Sequence, residues 1–212
     1  MHKEDAMQLN DALRDKLITY IENAWSMENQ IVETLEKQVK DTAKFPDIQT
    51  QVQRHLDETM QHRDRMALCL AAYDKKPSSM KGALTHLLGT LAGTVGGARS
   101  DSLAMTARDD YMVEHFEIGS YELLIAAARA FGDQQTVDAC EANLRDEVRM
   151  ANWLETHMGH VAVLSLREEG IDLPQVEAEL AETSVFTALR SAHAMLPGSE
   201  LDQPIPPASP TI

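Results

Sequence analysis

Glu114-His115-Phe116-Glu117-Ile118-Gly119-Ser120-Tyr121 is the stretch on which the reading of this chain turns. Around it Leu103, Ala107, Asp110, Glu114, Glu117, Tyr121, Leu124 and Ala128 recur at steps of three and four, the period of one helical face. Such a stripe is ordinarily apolar. Two glutamates one turn apart in mid-helix therefore need compensation, because a buried carboxylate is costly without a counter-charge or a metal. The spacing predicts a helix over 101–131, with His115 and Phe116 off its inner face. Gly132-Asp133 then predicts a stop and a new N-cap.

Three further helices carry the same anomaly. The first, over about 8–40, has the stripe Leu9, Leu13, Leu17, Tyr20, Ala24, Glu28, Ile31 and Leu35, with Glu28 on the seam and Glu22, Glu33 and Glu36 off it. Pro46 restricts its predecessor and Asp47 is expected to cap the second helix, over about 47–74. There Ile48, Val52, His55, Glu58, His62, Met66, Cys69 and Tyr73 share a face, and His55, Glu58 and His62 stand where a helix offers adjacent ligands to one ion. The fourth helix runs from about Gln134 to Gly170 through Val137, Cys140, Leu144, Glu147, Ala151, Leu154, Met158 and Val161, with Glu147 as its only seam carboxylate.

Taken together, Glu28, His55, Glu58, Glu114, Glu117 and Glu147 form a candidate ligand set. Carboxylates bridge two cations through their two oxygens, and mixed carboxylate and imidazole sets suit iron or manganese better than do the sulfur-rich sets that favour zinc clusters. Two transition-metal ions are expected, iron before manganese. Spacing leaves four residues open. His62 is either a ligand or a core histidine, and His115 is a neighbour of the site or a surface residue. Tyr20 and Tyr121 either hydrogen-bond a carboxylate or pack in the core. The competing reading shifts a phase by one residue, so that the glutamates line a wet groove or a seam between subunits.

Composition sets the frame. The chain has 212 residues, 5% aromatics and a net charge of -15 from 34 acidic and 19 basic residues. Helix-favouring residues dominate, so an all-α protein is expected. The acidity argues against nucleic acid and against anionic membranes, both of which demand a basic footprint. Cys69 and Cys140 lie at apolar positions and read as reduced, buried residues. The start Met1-His2-Lys3-Glu4-Asp5 lacks a signal-peptide pattern, and no stretch nears the roughly 18 apolar residues of a membrane span, so a cytoplasmic protein is expected.

Between the second and third main helices the sequence predicts a short helix over about 80–91, then Gly93-Thr94-Val95-Gly96-Gly97, which resembles no phosphate loop. A helix over about 173–194 follows Gly170, and from Pro197 repeated prolines predict an extended tail. The expected organisation is a bundle over 1–170, a helical extension over 171–196 and a Pro-rich tail over 197–212.

Met27-Glu28-Asn29-Gln30, His55-Leu56-Asp57-Glu58-Thr59, Glu114 to Tyr121 and Asp146-Glu147 resemble, in order, the signature stretches of the YciE/YciF family of bacterial stress-associated proteins. The resemblance implies a ferritin-like four-helix bundle with one long crossover between helices 2 and 3, a homodimer, and a rubrerythrin-like two-metal centre. It matches Glu28, Glu58, Glu114, Glu117 and Glu147, with His55, to the family's ligand positions. One departure stands out: where ferritin-like sites carry Glu-x-x-His on the second and fourth helices, Gln61 follows Glu58 and Met150 follows Glu147. An imidazole-poor site is therefore expected. The function implied is reaction of a di-metal site with dioxygen or peroxide in a stress response, with enzymatic activity left open. The alternative is a non-catalytic acidic helical protein whose C-terminal tail docks on a protein partner, its metal structural or adventitious.

Overall fold

Two tight turns and one long connection arrange the helices. The computed structural model describes residues 3–77 and 102–171. Among them are four helices and no strand: α1 (Lys3–Asp41), α2 (Pro46–Ala71), α3 (Ser102–Phe131) and α4 (Gln134–Glu168). α1 packs along α2 and α3 along α4, and these hairpins face each other with α1 against α3 and α2 against α4. Both cross-hairpin pairs are antiparallel. Gln38 meets Asp110 where Glu28 meets Tyr121 further along, and Gln51 meets Met150 where Arg65 meets Asn143.

Local chemistry sets the boundaries. α2 opens with Pro46 in its first turn and Phe45 at the N-cap, so Asp47 is not the expected cap. It lies instead in the first turn, where a carboxylate favours the helix dipole. α2 ends at Ala71, earlier than the spacing suggests, because Asp74 adopts a φ of 57° and the Lys75 N–H returns to the Leu70 carbonyl at 3.1 Å. Gly132, at φ 86°, closes α3 in the same way, with the Asp133 N–H on the Ala128 carbonyl at 2.9 Å. Here the left-handed conformation suits glycine.

Asp133 then caps α4 by accepting from the Thr136 N–H at 3.0 Å, as the sequence predicts, and also accepts from the Tyr73 hydroxyl at 2.6 Å. It thus ties the start of α4 to the end of α2. Asp133→Ala is expected to cost about 2 kcal/mol, combining a lost cap with an unpaired Tyr73, and to lower the urea midpoint at unchanged slope.

The Tyr73 and Phe131 rings lie 6.2 Å apart, so the end of α2 sits beside the end of α3. The start of α3 sits beside the end of α4, where the Ala104 N–H reaches Ser165 Oγ at 3.4 Å. α3 has 30 residues, a length of about 45 Å at the usual helical rise. The ends that the α2–α3 connection joins are therefore separated by about the length of the bundle. Residues 78–101, with the helix expected over 80–91, and residues 172–212, with the expected C-terminal helix and Pro-rich tail, lie outside the described residues.

The interior is layered. Leu17, Ile21, Met66, Leu70, Leu124, Ala128 and Cys140 fill one end, and Ile31, Leu35, Ile48, Val52, Ala107, Leu154 and Val161 the other. Each fully buried aliphatic side chain contributes on the order of 1.5–3 kcal/mol. That apolar stability offsets the layer between, where Glu28, His55, Thr59, His62, Glu114, Glu117, Asn143 and Glu147 are all buried. Cys69 and Cys140 are free thiols and buried, as expected. Among the described residues no helix is long and apolar enough to cross a membrane.

Candidate metal centre

The register of α2 decides which of its polar residues turn inward. Ile48, Val52, His55, Thr59, His62, Met66 and Cys69 are buried at alternating steps of four and three, which keeps one seam facing the bundle axis. His55 and His62 therefore both point inward, with Thr59 between them donating its hydroxyl to the His55 carbonyl at 2.8 Å. Glu58 falls one residue off that seam. The structure does not bring it into the cluster: it accepts from Arg149 at 2.8 Å, lies 3.9 Å from Arg54, and its side chain is 18% exposed.

The other five expected ligands converge. His55 Nε2 lies 3.1 Å from Glu114 Oε1 and 4.0 Å from Glu147 Oε2. His62 Nδ1 lies 2.7 Å from Glu147 Oε1 and 3.7 Å from Glu28 Oε2. Donor atoms within 4.8 Å of one another form two groups, His55 with Glu114, Glu117 and Glu147, and Glu28 with His62 and Glu147. Glu147 belongs to both. The cluster thus consists of two groups that could each hold an ion and that share one carboxylate.

The donors fit cations. Among the described residues, buried side-chain oxygens and nitrogens without a hydrogen-bond partner are Glu28 Oε2, both His55 nitrogens, His62 Nδ1, Glu114 Oε2, both oxygens of Glu117, both of Glu147, and Gln38 Oε1. All but the last belong to the cluster. Unsatisfied buried polar atoms are rare in native proteins. Here one donor atom from each of these residues lies at ligand spacing from the others of its group, and four glutamates would balance the charge of two divalent ions.

Without ions the cluster must hold protons instead. Burial, with some opposition from His55, pushes the Glu114 carboxyl up to about 8. Burial and the carboxylates of Glu147, Glu28 and Glu114 push Glu117 well above the usual range, and burial also raises Glu28. Burial disfavours charge on the imidazoles too, yet Glu114 and Glu147 outweigh it and lift His55 to about 9. Asp146, Glu147 and Glu28 lift His62 to about 12. Glu147 moves the other way, because His62 and His55 outweigh its burial.

Outer partners orient these groups. Asp146 accepts from His62 Nε2 at 3.1 Å and from Arg149 at 2.6 Å, which turns His62 Nδ1 to the interior. The Tyr121 hydroxyl donates to Glu28 Oε1 and accepts from Asn143 Nδ2 at 2.8 Å, while Asn143 Oδ1 accepts from Arg65 at 2.8 Å. Tyr121 thus takes the hydrogen-bonding role that its place on the stripe left open. Tyr20 does not: it is half-buried under Lys16 Nζ, 5.2 Å from its ring centre. His115 is exposed and contacts the Tyr111 carbonyl at 2.9 Å.

Sequence reasoning missed Asn143 and left His62 undecided. Signals for both existed. His62 follows His55 by seven residues, and Asn143 lies between Cys140 and Glu147 at steps of three and four. The expected imidazole-poor set also changes. With Glu58 outside and His62 inside, the cluster has four carboxylates and two imidazoles, the same inventory that ferritin-like sites draw from two lone glutamates and two Glu-x-x-His pairs. Here both imidazoles come from α2 and two carboxylates from α3.

Fold and cluster together define the class: a ferritin-like four-helix bundle with a buried carboxylate and imidazole layer that could hold metal. Residues 12–166 match the family model described as a domain of unknown function, DUF892, and the chain belongs to that family. Among solved structures, it is similar to a protein from Xanthomonas campestris at 26% identity and a TM-score of 0.64, over 76% of this chain and 99% of that one. YcfI from Rhodopseudomonas palustris matches at 28% identity and TM-score 0.60, covering 67% of this chain and 92% of that one. The E. coli stress protein YciF shares the fold at 18% identity and TM-score 0.58, over 73% and 97% of the two chains, in line with the YciE/YciF resemblance of the signature stretches.

Proposed function

We propose that this protein holds two transition-metal ions, iron or an iron and manganese pair, in its polar layer, and uses them to react with dioxygen or hydrogen peroxide. One observation carries the reading: Glu147 belongs to both ligand groups, amid buried oxygens and nitrogens that have no other partner. Bound there, redox-active ions would supply the electrons that reduce such an oxidant. The protein's part is to orient and enclose. Asp146 fixes the His62 ring, Tyr121 holds Glu28, and apolar layers on either side limit water.

A cavity of about 30 Å³, lined by Gln38, Val52, Asp110, Met150 and neighbouring residues, lies one helical turn from His55, Glu114 and Glu147. A single water needs roughly 10–15 Å³, so this space suits a small oxidant and not an organic substrate. The shared fold with the E. coli stress protein YciF supports a role in oxidative or related stress.

Anaerobic reconstitution with iron(II) followed by metal analysis tests the reading. Wild-type protein is expected to retain two ions per chain and to oxidise them on exposure to air or peroxide, while Glu114→Ala loses the ion it shares with His55 and Glu117. A wild-type protein that binds no transition metal would sink the proposal. Tight binding without oxidant consumption would favour the non-catalytic reading.

A further inference from the structure

The two ion positions differ in their ligand supply. His55, Glu114, Glu117 and Glu147 surround one with four residues, whereas Glu28, His62 and Glu147 give the other three. Glu28 could in principle add a second oxygen to the poorer position. It is prevented from doing so by a hydrogen-bond chain that draws one residue from each helix.

The chain has a forced direction. Arg65 Nη1 approaches Asn143 at 2.8 Å, and because a guanidinium only donates, the amide oxygen Oδ1 must face it. The amide nitrogen Nδ2 is therefore turned to the Tyr121 oxygen, 2.8 Å away. With that oxygen accepting, the Tyr121 proton goes to Glu28 Oε1. Tyr121, Asn143 and Glu28 are all fully buried, so water does not compete for these bonds. Only Glu28 Oε2 remains, unpartnered and 3.7 Å from His62 Nδ1.

Resting on the metal reading above, we infer that Tyr121, backed by Asn143 and Arg65, is a positioning residue that keeps Glu28 a one-oxygen ligand. It thereby leaves the Glu28, His62 and Glu147 position open on one side. The four-ligand position fills first and holds its ion, and the three-ligand position takes the exchangeable ion.

The test is an anaerobic titration with cobalt(II), followed by calorimetry and by visible absorption, which reports coordination. Wild-type protein is expected to bind two ions in separate steps. Tyr121→Phe removes one hydroxyl and keeps the ring, so Glu28 Oε1 is released to the poorer position, and the second step is expected to tighten by about tenfold, the worth of one bond to a charged group, while the first changes by less than about threefold. Arg65→Met, at the outer end of the chain, is expected to act in the same direction and less strongly. Equal weakening of both steps in Tyr121→Phe would mark Tyr121 as merely structural, and an unchanged or weaker second step would show that the hydroxyl does not hold Glu28 to one oxygen. Either result overturns this inference and leaves two-metal binding intact. A wild-type protein that binds neither cobalt(II) nor iron(II) overturns both.

Discussion

Glu147→Ala is expected to empty both ion positions at once, with each affinity falling by at least about 100-fold. The argument is geometric. Glu147 is the one residue common to the two ligand groups, with Oε1 2.7 Å from His62 and Oε2 4.0 Å from His55. Losing a partner that merely orients a ligand already costs about 10–100-fold in metal affinity, so losing a shared ligand costs more, and costs it twice. Glu117→Ala is the contrast, since Glu117 belongs to one group only, and this variant is expected to keep the ion held by Glu28, His62 and Glu147. Metal content after reconstitution separates the cases. A Glu147→Ala protein that retains one ion at wild-type affinity would show that the positions are independent.

The metal-free protein is expected to become less stable as pH rises from about 5 to 9, and the metal-loaded protein is expected not to. In the metal-free fold burial lifts Glu114 from 4.5 to about 8 and Asp110 from 3.8 to about 6, and Glu117 rises further. The carboxylates around His55 outweigh its burial and lift it from 6.5 to about 9. Each group binds its proton more tightly folded than unfolded. The stability it contributes is complete below the unfolded value and is lost as pH climbs through the folded one. Each such proton costs about 1.4 kcal/mol per pH unit across its window. Asp146, lowered to about 2 chiefly by its bond with His62, acts in the opposite sense and only in acid, below 3.8. Ions replace these protons, so loading strengthens as pH rises. Urea unfolding at a series of pH values should show stability falling with pH in chelator and no such fall with metal. Equal stability of the chelated protein at pH 5 and pH 9 would contradict the assignment.

Most of the fold was legible because its determinants are local. The apolar stripes on the third and fourth helices, the Gly132-Asp133 break and the stop at Gly170 each follow from residues within a turn or two of one another. On three helices the seam carboxylates were legible for the same reason, since Glu28, Glu114, Glu117 and Glu147, with Asp110, are the acidic members of largely apolar stripes. α2 was ambiguous. Between His55 and His62 the steps three-then-four and four-then-three both preserve the stripe, and they select Glu58 or Thr59 respectively. What decides for Thr59 is not local: Arg149, far along the chain on α4, draws Glu58 to the flank. The chain from Arg65 to Glu28 was illegible for the same reason, being assembled from residues on four helices that only the packed bundle brings together.

The division of the bundle into two hairpins has a mechanical consequence. Glu28, His55 and His62 lie on the α1–α2 hairpin, and Glu114, Glu117 and Glu147 on the α3–α4 hairpin, so each ion position takes donors from both. A bound ion is then a removable cross-link between halves of the molecule, and one joining Glu28 to Glu147 closes a loop of more than half the chain. Cross-links over long loops constrain the unfolded chain most. Without ions, like charges or their captured protons face each other across the seam. The halves then have least reason to stay together where the ligands meet, and amide exchange there would report whether the bundle breathes by parting its hairpins before any helix unwinds.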